Sequence, residues 1–452
     1  MIGCRHYLEV PFSLEKIRQT LEVRKERAIL VAAHLSRSDG GDDLAELTAL
    51  AESAGAVVVD RFQQKLRKIN PSTYIGKGKV LQLGERVKRH KADVIIFDND
   101  LSPAQIRELE EVIETKVVDR SELILDIFAT RAQTKQAKLQ VELAQLEYTY
   151  PRLTQMWSHL DTVAGAAGGA GTPGAVGAIG TRGPGEQQLE IDRRLVSKRI
   201  NELRDELEGI DRRKLREIKG RKDFFQVCIV GYTNAGKSTL LNALTDAGVL
   251  AEDRLFATLD TRTRKWAPCR GADVLLSDTV GFVRNLPHQL VASFKATLEE
   301  AIFADLLLHV IDVSNPAVMN QIESVNKVLS DIGCGDKPIL EVFNKVDAIK
   351  EIGRLELLQT LHRDAVFVSA KTCLGLDELC RRVAQHYRGQ DVVLRVLSSQ
   401  ANGKVQSFLR AHGQILSEQY VDSSVIIDVR LGHKQLPELE RLHPDRLEVL
   451  QD

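Results

Sequence analysis

Gly231-Tyr232-Thr233-Asn234-Ala235-Gly236-Lys237-Ser238-Thr239 reads G-x-x-x-x-G-K-S and follows the apolar run Phe224-Phe225-Gln226-Val227-Cys228-Ile229-Val230. A buried strand breaks there into a glycine-rich turn, and the turn opens a helix over Leu240-Leu241-Asn242-Ala243-Leu244. A phosphate-binding loop needs that succession. The glycines let backbone N–H groups converge on phosphate oxygens, and the helix N-terminus adds the positive end of its dipole. Lys237 is placed to reach the β- and γ-phosphates, and the Ser238 hydroxyl to sit on Mg²⁺.

Working downstream, Ala272-Asp273-Val274-Leu275-Leu276-Ser277 is a second apolar run, and Asp278-Thr279-Val280-Gly281 follows it. An Asp at a strand end beside the phosphate loop can hold Mg²⁺ through water, and the bare Gly281 N–H can approach the γ-phosphate. Between the two lies Phe256-Ala257-Thr258-Leu259-Asp260, where the Thr258 hydroxyl is placed to complete the metal shell. Pro338-Ile339-Leu340-Glu341-Val342-Phe343 then runs into Asn344-Lys345-Val346-Asp347. The Asp347 carboxylate can accept the N1–H and 2-amino group of guanine; adenine offers no such pair, and an unpaired buried carboxylate discriminates strongly. Finally Ala365-Val366-Phe367-Val368 leads to Ser369-Ala370-Lys371, a loop that can donate backbone N–H to guanine O6.

Each element alone is an ordinary loop sequence. Five in this order, four directly after strand patterns, resemble the G motifs of a translational-type P-loop GTPase domain, with GTP or GDP as ligand. One position departs from the Ras-like pattern. After Asp-x-x-Gly comes Phe282, which cannot hydrogen-bond, where Ras-like enzymes carry a water-orienting Gln. Slow intrinsic hydrolysis is therefore expected, with the water-positioning group, and hence the catalytic residue, unassigned. Asn234 has two readings: a K⁺ ligand near the β- and γ-phosphates, as in some GTPases with a hydrophobic substitution, or an Asn tolerating a turn.

Outward from this segment, size and composition set bounds. The chain has 452 residues and a formal net charge of −1, which suits a cytoplasmic protein of two to four domains. No overall basic excess announces a nucleic-acid binder, and no DNA partner is expected; any RNA contact must come from a local patch. The six cysteines (Cys4, Cys228, Cys269, Cys334, Cys373, Cys380) form no C-x-x-C pair, a reduced-thiol usage. Met1-Ile2-Gly3-Cys4-Arg5-His6 lacks an apolar export region, and no apolar run is long enough to span a bilayer.

Four regions follow. Residues 1–130 alternate strand patterns (Ala28–Ala33, Ala56–Asp60, Val94–Asp98, Lys116–Asp119) with helical ones (Asp43–Ala54, Pro103–Ile113), a small parallel-sheet α/β domain. Tyr74-Ile75-Gly76-Lys77-Gly78-Lys79-Val80 lacks phosphate-loop spacing and reads as a solvated basic turn, with a nucleotide or RNA contact as the lesser reading. In 131–222, Leu139, Leu143, Leu146 and Tyr150 form one helical stripe, and Val196, Ile200, Leu203, Leu207 and Ile210 another, an antiparallel hairpin. Between the stripes, nine of the 22 residues 164–185 are Gly. That composition cannot order itself; the segment reads as a flexible linker or, being longer than two paired helices need, as a probe that orders inside a partner. Residues 223–389 form the GTPase domain. Residues 390–452, with strands at Asp391–Leu397 and Ser424–Val429 and a helix at Lys404–His412, form a small α/β appendage.

Thr181-Arg182-Gly183-Pro184-Gly185-Glu186-Gln187-Gln188-Leu189-Glu190-Ile191-Asp192-Arg193-Arg194, with the phosphate loop, Phe256–Asp260 and Asp278–Phe282, resembles the signature of the HflX family of ribosome-associated GTPases. Two places depart: Gln187, where the family usually has Thr, and Thr261-Arg262-Thr263, where a Pro-containing turn is expected. The resemblance covers nearly the whole chain. It implies binding to the large ribosomal subunit or whole ribosome, through the N-terminal domain and a hairpin whose tip reaches toward the peptidyl-transferase region. It also implies a monomer, cytoplasmic with a share peripheral at the membrane. GTP-favoured docking, ribosome-stimulated hydrolysis, and a task in ribosome splitting or subunit maturation follow from it too. The residues alone support less. Segment 181–222 carries 13 Lys/Arg against nine Asp/Glu, compatible with rRNA phosphates or with ion pairs on a solvated helix.

Overall fold

The structure, a computed structural model, describes residues 25–35, 43–156, 184–220, 224–245, 256, 261–269, 274–284, 300–349, 352–388, 391–421, 423–432 and 435–450. The chain divides into two compact units, one up to Leu123 and one from Ile124 onward.

In the first unit the strand–helix alternation produces β1 (Arg27–Leu35), α1 (Asp43–Ser53), β2 (Val57–Leu66), α2 (Lys77–His90), β3 (Val94–Phe97), α3 (Pro103–Ile113) and β4 (Lys116–Val118). The sheet order is β2-β1-β3-β4, all parallel. Pro103 opens α3 behind a capping box in which Ser102 and Gln105 satisfy each other's backbone N–H groups. Strand β2 runs six residues beyond the expected Asp60, because Phe62 and Leu66 alternate into the core with Ile29, Val31, Ile95 and Phe97. The basic turn around Lys77 instead starts α2, over a fully buried Ile75. The next helix, α4 (Arg120–Arg131), leads out of this unit.

Two long helices follow: α5 (Lys135–Met156) and α6 (Pro184–Gly220). Their expected stripes meet, with Leu139, Leu143, Ile200, Leu203 and Leu207 buried together and Leu146, Tyr150, Val196 and Ile210 packed at the edges. Cross-links show the direction: Gln136 bonds Asp211, Glu142 pairs with Arg199, and Tyr150 accepts from Arg193. Numbers rise on one helix as they fall on the other, so the helices are antiparallel. The chain between them, 157–183, lies outside the described residues, and with it all of the glycine-rich segment except Pro184 and Gly185, which begin α6. Ion pairs occupy many of the basic residues on this hairpin: Lys135 with Glu206, Arg199 with Glu142 and Glu202, Arg204 with Glu147, and Arg212 with Glu208. Leu203 is fully buried in the seam. Leu203→Ala is expected to destabilise the hairpin by about 2–5 kcal/mol, read as earlier loss of helical circular dichroism in urea; an unchanged midpoint would show that the seam contributes little.

The third region carries β5 (Phe225–Gly231), α7 (Lys237–Thr245), β6 (Arg262–Trp266), β7 (Val274–Asp278), β8 (Leu306–Asp312), α8 (Val318–Asp331), β9 (Ile339–Asn344), α9 (Ile352–Leu361), β10 (Val366–Phe367) and α10 (Leu376–Arg388). Its sheet order is β10-β9-β8-β5-β7-β6. All pairs are parallel except β6 against β7. Two strands were not read from the sequence. One is β8, buried along nearly its whole length between β5 and β9. The other is β6, which starts at Arg262 in place of the Pro-containing turn expected after Asp260 and adds an antiparallel edge to the parallel core. This mixed, mostly parallel order brings the ends of β5, β7, β8, β9 and β10 to one edge, where α/β sheets bind ligands.

The C-terminal region comprises β11 (Asp391–Ser399), α11 (Gly403–His412), β12 (Gln414–Val421), β13 (Ser424–Gly432), α12 (Leu436–Arg441) and β14 (Arg446–Leu450). The order β12-β13-β11-β14 is antiparallel throughout, a split β-α-β-β-α-β arrangement. Leu394, Val396, Ile427 and Val429 bury one sheet face against Val405 and Leu409 of α11. Among the described residues no helix is long and apolar enough to cross a membrane.

Candidate functional site

The phosphate loop is shaped by its own backbone and by the end of β9. Gly236 has φ 91°, and a Cβ there would lie 2.3 Å from Asn344 Nδ2, so only glycine fits between the loop and the end of β9. Asn234 has φ 60° and is exposed, as the turn reading of that residue requires. Lys237, buried at the start of α7, donates from Nζ to Gly231 O (3.1 Å) and Tyr232 O (2.8 Å). Burial pulls its ammonium down to about 8, with Asp278 pulling the other way. Beside it, Ser238 Oγ donates to Asp278 Oδ2 at 2.7 Å, and Asp278 is fully buried. A hydroxyl next to a carboxylate is an all-oxygen donor set that suits a hard divalent cation. Thr239 continues α7.

The depressed pKa has a consequence for ligand binding. Phosphate oxygens favour the charged lysine, so above pH 8 nucleotide binding takes up a proton and weakens as pH rises. GDP dissociation constants measured from pH 7 to 9.5 are expected to climb above about pH 8, by up to roughly tenfold per unit; a flat profile would mean that Lys237 stays charged in the free protein.

The base-side loops also converge. Asn344 is buried, donates from Nδ2 to Ala235 O (2.9 Å) and accepts the Ala370 N–H on Oδ1 (2.9 Å). One side chain thereby ties the phosphate loop to Ser369-Ala370-Lys371. The Ala370 N–H, one of those expected to serve guanine O6, is engaged by Asn344 here. Asp347 sits in a short 3-10 turn, Val346–Ala348, and accepts from Ser369 Oγ at 2.6 Å. Lys345, in the left-handed region at φ 66°, extends its ammonium to Asp312 at the end of β8, 2.8 Å away. Asp312 had no sequence signal, because its role comes from β8 lying beside β9. Also on β8, His309 is buried, and burial with nearby Lys237 holds its imidazole down to about 4, so it is neutral behind the loop.

After β7, Thr279, Val280, Gly281 and Phe282 are all buried. A Cβ on Gly281 would lie 2.7 Å from Thr233 Cγ2 and 2.8 Å from Lys237 Nζ, so this glycine is required by close approach to the phosphate loop. Phe282 turns into a core of Cys228, Val230, Tyr232, Ala301, Ala304 and Leu307. Of Phe256-Ala257-Thr258-Leu259-Asp260 only Phe256 is among the described residues; the expected metal ligand Thr258 lies outside them. Phe256 is buried with φ 57° and meets Phe128 of α4 edge-on, ring centroids 4.6 Å apart. On the far side of the segment, Lys214 of α6 donates to Thr261 Oγ1 at 3.2 Å. The two ends of this loop are thus held by helices preceding the GTPase domain, contacts more than forty residues distant in sequence that no local pattern announces.

Three family models match in series: a GTP-binding GTPase N-terminal region over 41–129, a GTP-binding GTPase middle region over 131–221, and a 50S ribosome-binding GTPase over 226–345. GTPase HflX of Lacrimispora saccharolytica is 46% identical, covering 89% of this chain and 93% of the relative. GTPase HflX of Escherichia coli K12 is 39% identical over 90% of this chain and 93% of the relative. The chain belongs to the HflX family of GTPases. The crystal structure of SsGBP in complex with GDP is 27% identical to this HflX-family chain, covers 80% of it and 98% of its own length, and has a TM-score of 0.45.

Proposed function

We propose that this HflX-family GTPase is a Mg²⁺-dependent switch that docks on the large ribosomal subunit or whole ribosome in its GTP form and leaves after hydrolysis, serving ribosome splitting or subunit maturation. The observation that supports it is the convergence of Lys237, Ser238, Asp278, Gly281 and Asn344 at one sheet edge, within a region matching a ribosome-binding GTPase family, with Asp347 two residues beyond it. Gly231-Tyr232-Thr233-Asn234-Ala235-Gly236-Lys237-Ser238-Thr239 would cradle the phosphates, and Asn344, Lys345, Val346, Asp347, Ser369, Ala370 and Lys371 the base. Ser238 and Thr258 would hold Mg²⁺ directly and Asp278 through water; bound there, the ion neutralises charge on the β- and γ-phosphate oxygens. The water oxygen attacks the γ-phosphorus as the β–γ bridge breaks, giving GDP and phosphate.

Phe282 is buried and apolar, so it contributes no hydrogen bond to that water. The missing group then comes from the ribosome or from a cation; Asn234 is the residue that would hold K⁺. In the GTP state Thr258 and Gly281 engage the γ-phosphate and are released on hydrolysis. The Phe256–Phe128 and Lys214–Thr261 contacts supply a path from that loop to the helices proposed, with the N-terminal domain, as the ribosome-binding parts.

The test is GTP turnover with and without purified 50S subunits at matched salt, with co-sedimentation in GTP-analogue and GDP forms. Strong stimulation and GTP-favoured co-sedimentation are expected. Neither effect would leave a switch whose partner is a protein or a membrane surface.

A further inference from the structure

Three hydrogen bonds join the phosphate loop to the segment after β7. Thr233 N donates to Phe282 O (2.7 Å), Phe282 N donates to Gly231 O (3.1 Å), and Arg284 N donates to the Tyr232 hydroxyl (2.7 Å). Tyr232 and Phe282 form a parallel bridge, extending the β5–β7 ladder past the ends of both strands. The rings of Tyr232 and Phe282 share one buried cluster, so this zipper is anchored by apolar burial as well.

The zipper puts Gly281 against Lys237. A single carbon added at Gly281 would already sit 2.8 Å from Lys237 Nζ and 2.7 Å from Thr233 Cγ2. A γ-phosphate that reaches both Lys237 and the Gly281 N–H has to enter this close approach, where even one added carbon would crowd Thr233, whereas a diphosphate has only to reach Lys237. Thr233 Oγ1, buried between these segments, has no hydrogen-bond partner among the described residues.

We infer that Tyr232 is a specificity-determining residue for nucleotide state: its hydroxyl latches Arg284, holds the post-β7 segment on the phosphate loop, and so biases the free protein toward GDP over GTP. This rests on the guanine-nucleotide site proposed above. The latch is a two-state element, and the γ-phosphate opens it only by its own differential affinity for the open state. Tyr232 acts through Phe282 and Gly281, not on the reacting atoms. Its ring packs the core; its hydroxyl carries the latch.

Tyr232→Phe keeps the ring and removes only the hydroxyl acceptor. In the full chain with Mg²⁺, dissociation constants for GDP and a non-hydrolysable GTP analogue are measured for both proteins. The ratio of the analogue constant to the GDP constant is expected to fall about fivefold in the variant, the worth of one ordinary hydrogen bond. Hydrogen exchange at peptides covering 279–284 is expected to speed up in the GDP-bound variant relative to the GDP-bound parent. A variant that merely loosened the fold would weaken both ligands alike and leave the ratio where it was, which would overturn the inference. Unchanged exchange at 279–284 would overturn it too. A parent protein that binds neither nucleotide would instead remove the site itself, a failure distinct from an unmoved ratio.

Discussion

Lys237→Ala is expected to abolish useful guanine-nucleotide binding. The ammonium is buried and held by two carbonyls of the same loop, Gly231 O and Tyr232 O. Deleting it leaves the β- and γ-phosphates facing buried backbone carbonyls with no cation between. Truncating one partner of a buried charge pair costs about 2–5 kcal/mol, a loss of roughly 30- to several-thousand-fold in affinity. Titration of the variant with a fluorescent GDP analogue measures it directly. An affinity within about threefold of the parent would show that the dipole and N–H groups of the loop suffice alone. Folding is read separately, from the circular dichroism and thermal midpoint of the variant, so that lost binding is distinguished from lost fold.

Asp347→Asn is expected to exchange guanine for xanthine specificity. Asp347 already accepts one hydrogen bond from Ser369 Oγ, which fixes the carboxylate and leaves acceptor capacity for the base. Guanine meets that acceptor with N1–H and the 2-amino group. An asparagine amide repels part of that pair and donates to the 2-oxo group of xanthine instead. With one or two buried hydrogen bonds lost on one base and gained on the other, the swing in kcat/KM between GTP and XTP is expected to be at least about a hundredfold. Retained guanine preference would place the base-reading group elsewhere. Ser369→Ala, which frees the carboxylate without changing its charge, should lower GTP affinity only severalfold, roughly one hydrogen bond.

Local sequence carried most of the candidate nucleotide site. The spacing of Gly231, Gly236, Lys237 and Ser238 encodes a strand, a turn and a helix start, all settled within nine residues by glycine backbone freedom and the first helical turn. Asn344-Lys345-Val346-Asp347 and Ser369-Ala370-Lys371 were legible for the same reason: each follows its own apolar strand. The hairpin was legible from period, since two apolar stripes on otherwise charged helices have only each other to bury against.

Tertiary structure decided what depends on neighbours. Strand β8 is apolar without alternation except for His309 and its terminal Asp312, and only its place between β5 and β9 makes Asp312 a partner of Lys345. Strand β6 has no apolar pattern of its own; it pairs because the edge of β7 is open to it. In the C-terminal region no residue of β12 or β14 is buried, and the split β-α-β-β-α-β sheet emerges once β11 and β13 present edges to them. The Tyr232–Arg284 latch and the Phe128–Phe256 contact join residues far apart in the chain, where sequence period holds no information. Sequence by itself determined the chemistry of each loop, because backbone conformation and side-chain type are local. Packing decided which loops meet and which residues hold them, because distance in space is set by the whole sheet.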